Sequence, residues 1–127
     1  MRVLRYPFDR PIKWSDHNYI TSDVRNVKIV TDPDLGLVAK FDGSAYVKGP
    51  NLDAMTGNSK RTLAYWCKLD GLNHVFIHCT GRYKSSVWCT HIYNRRYFRL
   101  VVNGDNYSSF PTRPKTNTWH HICETYD

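Results

Sequence analysis

Short apolar runs alternate with clusters of turn residues along the chain from residue 24 onward. The runs are rich in β-branched and aromatic residues, which favour strands, and none keeps a helical period long enough for a helix. They recur about every 8–12 residues, which is typical of an all-β sandwich or barrel. The predicted strands cover residues 24–30, 37–41, 45–48, 61–69, 74–80, 87–93, 97–102, 106–110 and 118–127.

Two details of this pattern make specific predictions. Asn103-Gly104 lies between two of the predicted strands, and this pair indicates a tight hairpin because both residues tolerate positive φ. Within residues 61–69, alternation places Tyr65 and Cys67 on one face and Trp66 on the other. Because large apolar side chains occur on both faces, we expect both faces of this strand to be covered.

The first 22 residues break the pattern. Prolines and a polar stretch interrupt them, so we predict an N-terminal arm over residues 1–22, followed by a partial β-sandwich domain over residues 23–127. Arg2, Arg5 and Pro7 prevent the continuous apolar segment that a secretory signal needs. We therefore expect an intracellular or virion location rather than classical secretion.

Composition narrows the classes of function. A length of 127 residues fits one domain, and no apolar run reaches the roughly 18 residues of a membrane-spanning helix. The formal charge of +7 indicates acidic partners or an acidic assembly surface. Glu124 is the only glutamate in the sequence, which excludes mechanisms that need two glutamates.

Three stretches together resemble one family. Residues 41–47 read FDGSAYV, residues 61–68 read RTLAYWCK and residues 118–127 read TWHHICETYD. In this order and spacing they resemble the laminin-G-like domains of the concanavalin A-like lectin/glucanase group. The resemblance covers about residues 24–127 and implies an antiparallel β-sandwich of the jelly-roll type.

The resemblance also implies roles for single residues. Trp66 and Trp119 are expected in the core, and His121 is expected to be a packing residue. Members of the family continue beyond the third motif with further strands. The resemblance therefore implies a sandwich that is truncated in this chain or completed by a partner, because open sheet edges favour association.

The residues do not favour catalysis or a bound metal. The glucanase members need acidic residues alternating along a strand, and the sequence has no such run, so we expect no enzymatic activity. We expect no cofactor. Calcium, which loop carboxylates bind in the family, stays open as an alternative, but turn chemistry explains both candidate loops more economically. The candidate calcium ligands are Asp32, Asp34, Asn103, Asp105 and Asn106. The candidate zinc ligands, which lack a defined ligand spacing, are His74, His78, His91, His120 and His121.

The four cysteines occur in apolar strand-like runs without a CxxC motif: Cys67, Cys79, Cys89 and Cys123. The favoured interpretation is four buried free thiols, which pack as small apolar groups. A disulfide between Cys79 and Cys89, across one hairpin, is the alternative.

A basic and aromatic segment is the most distinctive surface feature. Aromatic faces stack on sugar rings or bases, and arginine forks bind carboxylate, sulfate or phosphate. The predicted contact residues are Tyr83, Trp88, Tyr93, Arg95 and Arg96. The alternative is that Trp88 belongs to the core and the arginines are solvated turn residues.

These observations lead to two functional hypotheses. The first is a non-catalytic, lectin-like recognition module that binds carbohydrate or protein. The second is a structural subunit, such as a minor capsid or surface-layer component, of a large assembly such as a virus particle. The expected partners are glycans or neighbouring protein subunits, and the sequence disfavours nucleic acid.

Overall fold

The computed structural model describes residues 23–49, 60–73, 76–80, 87–102 and 106–127. These residues form ten strands and no helix, and every strand pairing among them is antiparallel. The prediction of an all-β protein is thus confirmed. In the described part of the chain, no helix has the length and apolar character needed to cross a membrane. The predicted arm over residues 1–22 lies outside the described residues.

Backbone contacts divide the chain into two units, Met1–Asn51 and Leu52–Asp127. The first unit contains β1 (Asp23–Arg25) paired with β4 (Tyr46–Lys48), and β2 (Lys28–Asp32) paired with β3 (Gly36–Lys40). The predicted single strand over residues 24–30 is divided because Asn26 adopts a left-handed φ of 54°, which an extended strand does not permit. The prediction of one continuous domain over residues 23–127 stays a prediction.

A turn built on Asp32 joins β2 to β3. The Asp32 carboxylate is 6% exposed and accepts backbone N–H groups from Asp34 at 2.9 Å and Leu35 at 3.3 Å. Gly36 then adopts a φ of 77°, which glycine tolerates without steric cost. This carboxylate therefore acts in the turn, as the turn interpretation of the Asp32 segment predicted.

The second unit contains two sheets. In one, β5 (Arg61–Lys68) pairs with β10 (Trp119–Tyr126) along the full length of both strands. The other has four strands in chain order: β6 (Phe76–Thr80), β7 (Trp88–Tyr93), β8 (Tyr97–Val102) and β9 (Asn106–Ser109). Strand positions agree with the predicted runs to within two residues, because turn residues end each run.

One face of each sheet in the second unit is buried against the other sheet. The shared core contains Leu69, Leu72, Ile92, Phe98 and Ile122, with Tyr65, Cys67 and Ile77 packed against it. Tyr65 and Ile122 come from the two-stranded sheet, whereas Ile92 and Phe98 come from the four-stranded sheet. The outer faces of the two sheets consequently point in opposite directions.

Candidate functional site

The predicted contact residues occupy different environments. Tyr83 lies outside the described residues. Trp88 has no solvent-exposed surface, so its indole cannot stack on a ligand at the surface, and its prediction as a contact residue is corrected. It faces the core because β7 alternates with Thr90 and Ile92 on the same inner side. Tyr93, Arg95 and Arg96 remain together at the end of the β7–β8 hairpin.

The turn of this hairpin holds Arg95 in an unusual conformation. The N–H of Arg96 donates to the carbonyl of Tyr93 at 3.0 Å, which closes the turn. Asn94 and Arg95, the two central residues, have φ values of 50° and 56°, as in a type I′ turn. Asparagine and glycine suit these positions, whereas an arginine at left-handed φ costs about 1–2 kcal/mol. Strain of this kind concentrates at functional sites.

Arg99 and His91 extend the site along the outer face of the sheet. The Arg99 guanidinium carbon lies 3.1 Å from the centroid of the Tyr93 ring, and the His91 ring lies 6.2 Å from it. His91 and Arg99 are directly opposite across the β7–β8 ladder. Burial and then the charge of Arg99 lower the pKa of His91, so the positive charge here belongs to the arginines.

The chain around this hairpin is strongly basic. Residues 71–123 contain seven lysines and arginines but a single acidic residue, Asp105. Two carboxylates flank this segment in sequence: Asp70, which is exposed, and Glu124, which lies on the inner face of β10 and is 3% exposed. The end of the β7–β8 hairpin therefore carries two exposed arginines, Arg95 and Arg96, within a segment of the chain that has few acidic residues.

A second cluster, which the sequence analysis did not identify, lies between the two sheets. Glu124 Oε1 accepts hydrogen bonds from the hydroxyls of Thr90 and Tyr65, the latter at 3.1 Å. Its other oxygen, Oε2, lies 3.7 Å from His78 Nε2. The His78 ring also contacts the rings of Tyr65 and Trp88 edge-on, at centroid distances of 6.1 and 5.2 Å.

Burial sets the ionisation of this cluster. It raises the pKa of Glu124, although the Thr90 and Tyr65 hydroxyls partly oppose the rise. It lowers the pKa of His78 to about 4, so the imidazole is neutral at neutral pH. The pKa of Tyr65 is raised by burial and by the adjacent carboxylate. These groups lie between the two sheets and face the core rather than the solvent.

A bulge explains why His78 faces the core. The β6–β7 register shifts between Phe76 and His78, so the strict alternation expected along residues 74–80 is interrupted. Ile77 and His78 are both partly buried as a result. The only sequence signal for the cluster was Glu124 itself, a single glutamate two residues after the apolar Ile122 in a predicted strand.

The outer face of β5 and β10 carries an exposed aromatic surface. Trp66 is 57% exposed, and its ring centroid lies 5.0 Å from that of His121 on the neighbouring strand. Lys68 Nζ lies 5.2 Å from the ring of Trp119, which is half-buried. We call Trp66, His121, Trp119 and Lys68 the Trp66 surface.

The Trp66 surface corrects three predictions. Trp66 is exposed and is not a core residue. The inner face of β5 packs against the four-stranded sheet, whereas the residues on its outer face are exposed, so β5 is covered on one face only. His121 shares the exposed side with Trp66. It is His120 that turns inward, where its Nε2 lies 2.9 Å from the Lys115 carbonyl and its ring contacts Phe98.

The four cysteines were predicted to be buried free thiols, and the structure agrees with this only in part. All four thiols are free, but Cys79 and Cys123 are exposed, so the prediction of four buried thiols is wrong for these two.

No group of three or more histidine, cysteine or acidic residues in the described ranges could hold a metal ion. Among the candidate ligands, His74, Asn103 and Asp105 lie outside those ranges, and nothing is described of the Asn106 side chain.

Comparison with known proteins gives no match to a protein-family model, a curated protein sequence or a solved structure. The resemblance to laminin-G-like domains thus rests on the three sequence motifs.

Proposed function

We propose that the chain is a non-catalytic recognition domain that binds acidic carbohydrate at the β7–β8 hairpin, within a lectin-like β-sandwich of the jelly-roll type. The observation that carries this proposal is the group formed by Tyr93, Arg95, Arg96 and Arg99. The two turn arginines are exposed, and Arg99 stacks on Tyr93.

The chemistry of this group suits sulfate or carboxylate on a sugar. A guanidinium presents several N–H donors in a planar fork that matches the oxygens of such anions. The strained turn fixes the backbone of Arg95, so less conformational freedom is lost when its side chain binds. The low pKa of His91 leaves the arginines as the source of attraction at neutral pH.

The experiment compares a sulfated polysaccharide with its unsulfated form by calorimetry or biolayer interferometry. Each charge-assisted hydrogen bond contributes about 1.5 kcal/mol, so R95A/R96A should bind the sulfated form about 100-fold more weakly. The matched control is R113A/K115A, which removes the same charge from exposed positions in another segment. Binding should also weaken as salt screens the exposed charges.

The outcomes separate specific recognition from general attraction. Equal losses in R95A/R96A and R113A/K115A would mean that only net charge matters, and the hairpin site would be rejected. Tighter binding to a single-stranded oligonucleotide than to any sulfated glycan would reassign the surface to nucleic acid. Tight binding to an acidic protein alone would reassign it to protein recognition.

A second candidate function is supported by the Trp66 surface. An exposed tryptophan beside open strand edges favours contact with another polypeptide, and β5 and β10 pair only with each other among the described strands. This supports a structural subunit of a large assembly, such as a virus particle. Light scattering after size exclusion tests it. Concentration-dependent association that Trp66→Thr abolishes, and Phe41→Thr does not, is the expected result; Phe41 is a comparably exposed aromatic at 47%.

A further inference from the structure

Two thiols lie directly opposite each other in the four-stranded sheet. The β6–β7 register pairs Cys79 with Cys89. Cys79 is exposed, whereas Cys89 is 5% exposed. The pairing places both side chains on one face of the sheet, since directly opposed residues of an antiparallel pair share a face.

The backbone geometry suits a covalent link between them. Directly opposed residues in antiparallel strands have Cα atoms about 4.5–5.5 Å apart, within the roughly 4.4–6.8 Å range of disulfides. Their Cβ atoms are about 4.5–5.5 Å apart, slightly more than a relaxed disulfide needs. Closing the bond must draw the strands together, and a strained disulfide is more easily reduced than a relaxed one.

We infer that Cys79 and Cys89 form a reversible disulfide across the β6–β7 hairpin by exchange with a low-molecular-weight disulfide such as oxidised glutathione. The exposed Cys79 thiolate attacks one glutathione sulfur and releases the first glutathione thiolate. Cys89, after losing its proton, attacks the Cys79 sulfur of the mixed disulfide and releases the second. Two protein thiols are oxidised to one disulfide while one glutathione disulfide is reduced to two thiols, so atoms and electrons balance. This inference is independent of the proposed function.

Burial and the adjacent thiol raise the pKa of Cys89 to about 11, which makes the second exchange step slow at neutral pH and faster as pH rises. β6 is an edge strand of its sheet, so the disulfide would fix that edge to the central strand β7. Hydrogen exchange of β6 amides should then slow on oxidation, whereas exchange in β9, the opposite edge, should not change.

The chain provides its own controls. Cys67 pairs with His120, and Cys123 pairs with Ala64, so these two thiols lie on opposite faces of the β5–β10 sheet and are not opposed to each other. Cys67→Ser and Cys123→Ser should therefore leave the disulfide intact. Cys79→Ser should abolish it, and because Cys79 is exposed this variant is expected to fold.

The test equilibrates the full chain in reduced and oxidised glutathione, quenches it with acid, alkylates the remaining thiols and measures intact mass and peptide maps. The expected result is the loss of two of the four alkylatable thiols at Cys79 and Cys89, with reversal by reduced glutathione. Four alkylatable thiols at every ratio would overturn the inference. So would a glutathione adduct at Cys79 that never resolves, a disulfide between other cysteines, or unchanged thiol loss in Cys79→Ser.

Discussion

Replacement of His78 by phenylalanine tests the physical account of the buried cluster. Neither ring nitrogen of His78 has a hydrogen-bond partner among the described residues, and the ring contacts Tyr65 and Trp88 edge-on. Phenylalanine keeps an aromatic ring in the same place and removes two buried nitrogen atoms that make no hydrogen bond to the described residues. At neutral pH, His78→Phe should therefore be neutral or stabilising.

The expected effect lies in the pH dependence of stability. The pKa of His78 falls from 6.5 to about 4 on folding, so the unfolded chain binds this proton more tightly. His78 therefore imposes no penalty on the free energy of unfolding above pH 6.5. The penalty grows as the pH falls toward 4, because protonation of His78 then favours the unfolded chain. Integrated from about pH 7 to about pH 5, this shift removes about 2 kcal/mol of unfolding free energy.

Glu124 acts in the opposite direction and must be removed from the comparison. Its pKa is raised on folding, so protonation of Glu124 adds stability as the pH falls, and that stability is lost as the pH rises. Its negative charge 3.7 Å from His78 would also favour the imidazolium. The comparison is therefore made between Glu124→Gln and the double variant Glu124→Gln/His78→Phe. Glutamine keeps an oxygen that can accept from Thr90 and Tyr65.

Urea unfolding followed by tryptophan fluorescence, at about pH 7 and about pH 5, gives the unfolding free energy of both proteins. All other groups titrate in both, so the difference isolates His78. The double variant should gain about 2 kcal/mol relative to Glu124→Gln on acidification. An unchanged difference, or a relative gain by the protein that retains His78, would refute the argument that desolvation controls this imidazole.

Three further comparisons test separate parts of the structure. Arg95→Gly removes the Cβ of a residue with left-handed φ, which relieves about 1–2 kcal/mol of backbone strain. Glycine loses more conformational entropy on folding, which offsets about 0.5–1 kcal/mol of this gain. Arg95→Gly should raise stability by up to about 1 kcal/mol, whereas Arg96→Gly next to it should lower stability; thermal unfolding of both variants measures this. Trp88→Ala should lower the free energy of unfolding by about 3–5 kcal/mol and Trp66→Ala by about 1 kcal/mol or less, because of these two residues only Trp88 is fully buried. Chemical denaturation of both variants measures the difference. Thr90→Val removes a hydroxyl that donates to the buried glutamate and should cost about 1–3 kcal/mol at neutral pH; equal stability of the two proteins would contradict the hydrogen bond.

The sequence predicted strand positions well because turn residues and period-two alternation are local signals. It failed where one residue changed the geometry. The left-handed φ of Asn26 divides a strand, and the bulge before His78 turns a histidine inward. Neither event alters the hydrophobic pattern that the prediction relied on.

The site was predicted only in part because burial depends on the partner sheet. Alternation correctly placed Tyr65 and Trp66 on opposite faces of β5, but it could not tell which face would be covered or whether both would be. The packing of the four-stranded sheet against the Tyr65 side decided this and left Trp66 exposed. Trp88 shows the converse error, since a residue chosen for the surface faces the core.

The positions of the two outer surfaces bear on how the candidate functions relate. The inner faces of the two sheets meet at the contact of Thr90 with Glu124, so the arginine hairpin and the Trp66 surface lie on opposite sides of the second unit. A protein bound on the Trp66 surface would leave Arg95 and Arg96 exposed on the other side. The two proposals are therefore compatible.

Trp66→Thr should change the oligomeric state without changing the glycan affinity per chain, and R95A/R96A should lower the glycan affinity without changing the oligomeric state. Coupled losses in both variants would show that one surface serves both roles, and the assignment of separate functions to the two sheets would then be wrong.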